Sequence, residues 1–235
     1  MKIPDNSTKH NSLHNTCESN NTLTKRSINI GYLAYFLCLF ATGYYFLPLL
    51  IPNSHLSDKH YLELCSRILS SLHIFIATTS AMLYLSNWIN TTTLEKGLAC
   101  SMAYLLADTT TTLLRESTNI FVIHHLLFLI LLIFAQTPDL QLIARGLLGE
   151  IPIIPLNYCW YLIHIGKQNS TTFTIHAFLT IALYLAFRIY NFSYLLYILI
   201  AKKRIASILF FLPLVCMSYY WFYMLIYKAA EQGLL

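Results

Sequence analysis

Seven long apolar stretches make up most of this chain, and they place the main constraint on its fold. They cover residues 30–51, 64–88, 97–114, 119–135, 142–165, 172–201 and 205–227. A transmembrane helix needs roughly 20 mostly apolar residues, whereas a strand of a membrane barrel needs only about 10. Because only helices and closed barrels satisfy every backbone group within lipid, the pattern predicts an all-α, multi-pass membrane bundle with about seven spans.

The composition agrees with a membrane location and excludes several other classes of protein. Charged residues make up 11% of the chain, against about 25% in a soluble domain. The net charge of +5 comes with no basic patch interleaved with aromatic residues, so we expect membrane lipids and no nucleic acid among the partners. The six cysteines are scattered singly, without the spacing of metal ligands, and predict neither a disulfide nor a metal site.

The chain divides into a polar tail, a first span and a larger bundle. Residues 1–29 are rich in Asn, Ser and Thr and predict a disordered tail, because they cannot bury enough apolar surface to offset the entropy of ordering. In this prediction residues 30–51 form the first transmembrane span, residues 60–227 form a transmembrane bundle, and residues 228–235 form a C-terminal tail.

Polar or small residues recur within the apolar stretches at helical spacing. In the second stretch they are three or four residues apart, which indicates a single helix face, and the third and sixth stretches repeat this rhythm. The fourth stretch begins with a histidine pair, and the polar residues of the fifth are seven apart. In chain order the set is Ser66, Ser70, His73, Ala77, Ser80; Ser101, Tyr104, Asp108, Thr111; His124, His125; Glu150, Asn157, His164; Thr180, Tyr184, Arg188 and Asn191.

Three ionisable residues, Asp108, Glu150 and Arg188, lie well inside the apolar stretches. Each would cost about 2.5–3.5 kcal/mol at the centre of a lipid-facing helix, and together they would cost on the order of 8–10 kcal/mol. Since that total rivals the stability of an ordinary domain, we expect the helices to turn all three side chains onto one shared interior. A direct pair between Asp108 and Arg188 is one arrangement that meets this requirement.

Several of these residues also have a purely structural interpretation. Small residues such as the serines of the second stretch allow close helix packing, and His73 suits an interior hydrogen bond as well as a functional role. His124 and His125 point about 100° apart on a helix, so at most one of them faces a given ligand. A metal site on one helix would need a spacing of three or four residues. Pro152 beside Glu150 breaks a helix, which indicates either a packing kink or the lining of a cavity.

The ordered set of motifs resembles the TLC domain, the family shared by ceramide synthases and their multi-pass relatives. The matching residues are Ser70-Ser-Leu-His73, Asp108, His124-His125, Glu150 with Asn157 and Trp160, and Phe187-Arg188. Ceramide synthases carry a paired Asp-x-x-Asp after the histidines, whereas this chain has Asp139 and then Glu150, and Pro152 stands where a small hydroxyl residue is expected. The pattern is therefore closest to that of the TLC-domain-containing proteins outside the synthase group.

This resemblance implies six helices around a central cavity, preceded by one further span, in the endoplasmic reticulum or a related endomembrane. It also implies acyl transfer from acyl-CoA to a lipid amine, with no other cofactor. In that case the catalytic residues are His124 and His125, as nucleophile or general base, with Asp108 or His73 orienting an imidazole. The residues expected to bind substrate are Glu150, Asn157, Trp160, Arg188 and Asn191.

Three functions follow as alternatives, and all concern lipid or proton chemistry within the membrane. The first is an acyltransferase-like enzyme that uses the histidine pair and acts in lipid metabolism. The second is a non-enzymatic lipid-binding protein that regulates membrane composition. The third is a proton-coupled transporter in which Asp108, Glu150 and the histidines form a relay.

Overall fold

The structure is a computed structural model that describes residues 29–50, 56–114, 120–134 and 140–234. The tail predicted to be disordered, residues 1–29, lies outside these ranges except for Asn29, so the disorder stays a prediction. Within the described ranges the chain is helical and contains no strand.

Nine α-helices and one π-helical segment make up the described part of the chain. They are α1 (Ile30–Leu50), α2 (Asp58–Leu85), α3 (Thr91–Leu114), α4 (Ile120–Phe134), α5 (Leu140–Leu148), α6 (Ile153–His164), α7 (Thr171–Leu183), the π segment (Tyr184–Tyr190), α8 (Asn191–Ala201) and α9 (Ile205–Glu231). Helices α5 and α6 together correspond to the fifth predicted stretch. Helix α7, the π segment and α8 follow one another without interruption and correspond to the sixth. The predicted all-α bundle of seven helical units is therefore confirmed.

Four of these units are long and apolar enough to cross a membrane, judged by length and composition. They are Ile30–Leu50, His60–Leu85, Thr171–Ala201 and Ile205–Glu231. Helix α4 is apolar as well but shorter. Large apolar side chains such as Phe75 and Leu209 are exposed on the outer faces of the helices. An outer surface of this kind is typical of a protein that contacts lipid.

Helix α3 is the most enclosed helix and packs against α1, α2 and α4. Twelve of its residues are buried, several of them small. A Cβ atom on Gly97 would lie 2.8 Å from the Cβ atom of Ser80 in α2, so the two helices approach as closely as a glycine permits. The small-residue stripe of the second stretch thus packs against α3, as small residues at membrane helix interfaces do.

The fifth stretch is broken between Leu148 and Ile153. Pro152 stands at the N-cap position of α6 and Pro155 in its first turn. Proline has no backbone N–H, and the first turn of a helix is where that loss removes no hydrogen bond. The helix therefore stops and starts again, which leaves Gly149 and Glu150 in a turn between α5 and α6.

The sixth stretch contains a π-helical turn at its centre. The backbone N–H of Asn191 donates to the carbonyl of Ala186, five residues earlier. Such wide turns admit one extra residue and occur often at functional sites. Here the π segment contains Arg188, which is almost fully buried.

Candidate functional site

The side chain of Asp108 in α3 contacts side chains from α1, α2 and α4. The hydroxyls of Tyr44 in α1 and Ser66 in α2 both donate to its Oδ1 atom, at 2.5 and 3.0 Å. Its Oδ2 atom lies 3.3 Å from Nδ1 of His125 in α4. The carboxylate is thus held by two hydroxyls on one oxygen and faces an imidazole with the other.

Aromatic stacking holds the histidine of α2 beside this carboxylate site. The ring of His73 lies parallel to that of Tyr104, with 3.9 Å between their centroids, and His73 Nδ1 is 2.9 Å from the carbonyl oxygen of Ser70. Tyr104 in turn meets the ring of His125 edge to face at 6.3 Å. Of the two residues expected to orient an imidazole, Asp108 contacts His125 directly, whereas His73 contacts Tyr104, whose ring in turn meets His125.

Arg188 pairs with Glu150 and with the broken helix beside it. Its Nε atom donates to the carbonyl oxygen of Gly149 at 2.6 Å, and its Nη2 atom donates to Glu150 Oε1 at 2.7 Å. The turn between α5 and α6 frees that carbonyl, because a continuing helix would have used it. The sequence allowed a pair between Asp108 and Arg188. In the structure Arg188 pairs with Glu150 instead.

The two ionic groups, Asp108 with His125 and Arg188 with Glu150, both lie inside the bundle. All of these side chains are buried or nearly so. Asp108, Glu150 and Arg188 therefore all turn inward, Asp108 against His125 and Arg188 against Glu150, while one interior space common to all three stays a prediction. We call the set Asp108, His124, His125, Glu150 and Arg188 the central polar cluster.

His124 points away from Asp108, as the angle between adjacent helical residues requires. Its ring lies parallel to Phe128 at 6.3 Å and meets Trp221 of α9 edge to face at 5.0 Å. The two histidines of the pair therefore have different surroundings, one acidic and one aromatic. Only His125 contacts a carboxylate among the described residues.

Several buried polar atoms have no hydrogen-bond partner in the described part of the chain. They are Ser101 Oγ, Thr109 Oγ1, His124 Nδ1, Tyr184 OH and Arg188 Nη1. Each such atom costs about 1–3 kcal/mol of stability, so native proteins contain few of them. Three of the five belong to His124, Tyr184 and Arg188, within or beside the central polar cluster.

The remaining residues expected to bind substrate lie in other surroundings. Asn157 accepts a hydrogen bond from Arg67 Nη1 at 3.0 Å and donates to Ser71 Oγ at 3.0 Å. The Arg67 guanidinium lies 4.5 Å from the ring centroid of Trp160. Asn191 donates to the carbonyl oxygen of Arg145 at 2.9 Å. The structure thus brings together Glu150 and Arg188, whereas Asn157 and Trp160 both contact Arg67 and Asn191 bonds Arg145.

Two contributors to the site were not singled out from the sequence, namely Tyr44 and Trp221. Helix α1 was expected only as a further span before the bundle, yet its Tyr44 bonds Asp108 and its Phe40 is fully buried. The spacing of four residues between these two aromatics indicates one inward face. No comparable pattern of polar residues marks Trp221 in the sequence.

A metal centre is not evident in the ranges that the structure describes. No group of three or more His, Cys, Asp or Glu side chains there could hold a metal ion. The central polar cluster itself supplies two imidazoles, two carboxylates and a guanidinium, and the hydroxyls of Tyr44 and Ser66 contact its Asp108.

Comparisons with known proteins give no family assignment for the chain. No family model, no curated protein and no solved structure matches it. Its function must be inferred from the central polar cluster and the residues that hold it.

Proposed function

We propose that this chain is an intramembrane acyltransferase-like enzyme that transfers a fatty acyl group from acyl-CoA to a lipid amine. One observation carries the proposal: Asp108 Oδ2 lies 3.3 Å from Nδ1 of His125. A carboxylate against one imidazole nitrogen fixes the tautomer, and it stabilises the imidazolium that forms when the other nitrogen takes a proton. The resemblance of the motifs to the TLC domain supports the same chemistry and an endoplasmic reticulum or related membrane as its location.

The proposed reaction uses Nε2 of His125 as the general base, because Nδ1 faces Asp108. Nε2 takes a proton from the amine while the amine nitrogen attacks the carbonyl carbon of the thioester. The tetrahedral intermediate collapses, the carbon–sulfur bond breaks, and the imidazolium gives the proton to the departing thiolate. An amide has then formed, and both His125 and Asp108 have returned to their starting protonation states.

Tyr44 and Ser66 serve as positioning residues in this mechanism. Both donate to Oδ1 of Asp108, so the carboxylate cannot rotate freely and keeps Oδ2 towards His125. Because each hydroxyl comes from a different helix, the base depends on the packing of α1 and α2 against α3. Geometry of this kind must be held to within a fraction of an ångström for efficient proton transfer.

An apolar groove between four helices favours a lipid ligand. It is lined by residues of α4, α5, α8 and α9, among them Phe128, Leu142, Leu195 and Phe211. A groove of this composition suits a hydrocarbon chain. The same groove also supports the second candidate function, a lipid-binding protein that regulates membrane composition without catalysis.

The direct experiment is an acyl-transfer assay on the purified chain in lipid nanodiscs. Labelled long-chain acyl-CoA and a long-chain amine are added, and the amide product is measured for the wild type, His125→Ala and His176→Ala. His176 is a half-buried histidine of α7 whose Nδ1 bonds the carbonyl oxygen of Thr172 and whose ring meets Tyr158 of α6 at 4.6 Å. It has no contact with Asp108 or His125 among the described residues, so it is a matched control. General-base catalysis contributes about 10²- to 10⁴-fold, and we expect His125→Ala to lose activity by that factor while His176→Ala keeps it.

The two candidate functions give different results in this assay. An enzyme gives product in the wild type and almost none in His125→Ala. A binding protein gives no product from any amine, while binding of a fatty acyl ligand is the same in the wild type and in His125→Ala. Undiminished product formation by His125→Ala would contradict the proposed role of the Asp108–His125 pair.

A further inference from the structure

The apolar groove lies at one end of the bundle. The C-terminal ends of α4 and α8 and the N-terminal ends of α5 and α9 meet there, since residues near each of these ends line the groove. The deepest lining residue of each helix is six residues from that end, namely Phe128, Gly146, Leu195 and Phe211. At a rise of 1.5 Å per residue, the groove therefore reaches roughly 9 Å inward from the end of the bundle.

The loop between α8 and α9 lies at this end of the groove and is entirely basic. Its residues are Lys202, Lys203 and Arg204, and all three are exposed. The backbone N–H of Arg204 donates to the carbonyl oxygen of Leu199 at 3.0 Å, and Leu199 lines the groove. Ser207, three residues after Arg204, lines it as well. Three positive charges are thus placed within about one helical turn of the groove.

The backbone of Lys203 is in the left-handed region, with a φ of 54°. Glycine is the usual residue at such a position after a helix, because a side chain there costs conformational energy. Attraction to the carbonyl end of α8 is one reason for a lysine at this position, and a negatively charged ligand is another. In the described part of the chain neither Lys203 nor Arg204 makes an ion pair.

The loop joins two helical units that are long and apolar enough to cross a membrane, Thr171–Ala201 and Ile205–Glu231. A loop between two such spans lies at the membrane surface, at the level of the lipid phosphates. The groove lining that the structure describes contains no charged side chain, so the groove suits a hydrocarbon chain. The three cations of the loop suit a phosphodiester whose charge is not offset by an amine of the same headgroup.

We propose that the groove and the basic loop together bind an anionic glycerophospholipid of the surrounding membrane. Its phosphate lies at Lys202, Lys203 and Arg204, and one acyl chain lies between α4, α5, α8 and α9. The bound lipid fills the space between these four helices and so supports their packing. Neither residue of the Asp108–His125 pair takes part, so the site does not depend on acyl transfer.

The test measures lipid binding to the purified full-length chain in an uncharged detergent. Native mass spectrometry gives the dissociation constants of its one-to-one complexes with dioleoyl phosphatidylglycerol, which is anionic, and with dioleoyl phosphatidylcholine, which has no net charge. Lys203→Gly removes one charge of the loop. Its control is Lys167→Gln, which removes an exposed charge from the turn before α7. The 31-residue span Thr171–Ala201 separates that turn from the loop, a distance of roughly 45 Å.

A second pair of variants tests the groove itself. A Cβ atom on Gly146 would have nothing within 4 Å, and Gly146 lines the groove, so Gly146→Leu places a large side chain in the space assigned to the acyl chain. Gly146→Ala is its control, because a methyl group leaves most of that space open. The melting temperature of each variant shows that it is folded.

We expect the wild type to bind phosphatidylglycerol at least about tenfold more tightly than phosphatidylcholine. One Lys or Arg near an anionic lipid contributes about fivefold to affinity. Lys203→Gly should therefore weaken phosphatidylglycerol binding about fivefold and phosphatidylcholine binding by less than about twofold. Its melting temperature should be unchanged or higher, because glycine suits the left-handed backbone. Lys167→Gln should bind both lipids as the wild type does.

Gly146→Leu should weaken the binding of both lipids by about fivefold or more, whereas Gly146→Ala should change neither by more than about twofold. Equal affinity of the wild type for the two lipids would overturn the proposal. Equal losses in Lys203→Gly and Lys167→Gln would also overturn it, since they would show only a general attraction between a basic protein and an anionic lipid. Undiminished phosphatidylglycerol binding by Gly146→Leu would refute the placement of the acyl chain in the groove.

Discussion

Replacement of Arg188 by methionine should destabilise the bundle strongly, and the size of the effect follows from its contacts. The change leaves the Glu150 carboxylate without its partner at 2.7 Å and the Gly149 carbonyl without its donor at 2.6 Å. Removal of one member of a buried ion pair costs about 3–5 kcal/mol, and a lost hydrogen bond adds about 1 kcal/mol. The total of roughly 4–6 kcal/mol corresponds to a fall in the melting temperature on the order of 10–20 °C for a chain of this size.

The assay is thermal unfolding in a mild detergent, with a double variant as the decisive comparison. Arg188→Met combined with Glu150→Gln removes both charges, so no unpaired charge remains, and we expect it to recover at least half of the lost stability. Lys228→Met is the control, because its ion pair with Glu231 is exposed and should leave the melting temperature essentially unchanged. If the loss of stability in the double variant equals the sum of the losses in the two single variants, Arg188 and Glu150 are not coupled and the reasoning fails.

Two further changes test the packing and the hydrogen bonds around the cluster. Gly149→Ala should lower stability by about 2–3 kcal/mol through overpacking, because a Cβ atom there would overlap the ring of Phe192. Gly146→Ala, with nothing within 4 Å of the added Cβ atom, should be neutral or stabilising. Thermal unfolding of the two alanine variants measures this difference, and equal melting temperatures would contradict the close packing of the turn. Tyr44→Phe removes one hydrogen-bond donor to Asp108. It should lower stability by about 1–2 kcal/mol and reduce the acyl-transfer activity in part. An unchanged melting temperature and unchanged turnover would show that α1 does not support the site.

The energetics of single residues made much of the interior predictable from the sequence. Contact with lipid is costly for Asp108, Glu150 and Arg188, and this cost alone predicted that the helices turn these side chains inward. Helical spacing likewise predicted that Tyr104 and Asp108 share one face of α3 and that His73 lies on the small-residue face of α2; in the structure the rings of His73 and Tyr104 stack. Pro152 predicted the break that frees the Gly149 carbonyl.

The partners of the interior side chains were less predictable from the sequence. The spacing of residues shows which of them share a helix face, but it does not show which helix packs against that face. Arg188 bonds Glu150 and not Asp108, since the turn between α5 and α6 offers a carboxylate and a free carbonyl together. The extra residue of the π segment rotates Asn191 away from the stripe, so it bonds Arg145 instead. The contribution of Tyr44 depends on packing between α1 and α3, which periodicity in α1 does not specify.

Whether Asp108 and His125 act as one catalytic unit is measured most directly by a double-mutant cycle on acyl transfer. Turnover is determined for His125→Ala, Asp108→Asn and the combined variant, at saturating acyl-CoA and amine. Residues that act as a unit are strongly non-additive, so the account predicts that the combined variant is no slower than His125→Ala alone, within about threefold. Losses that multiply, or an Asp108→Asn variant as active as the wild type, would contradict it.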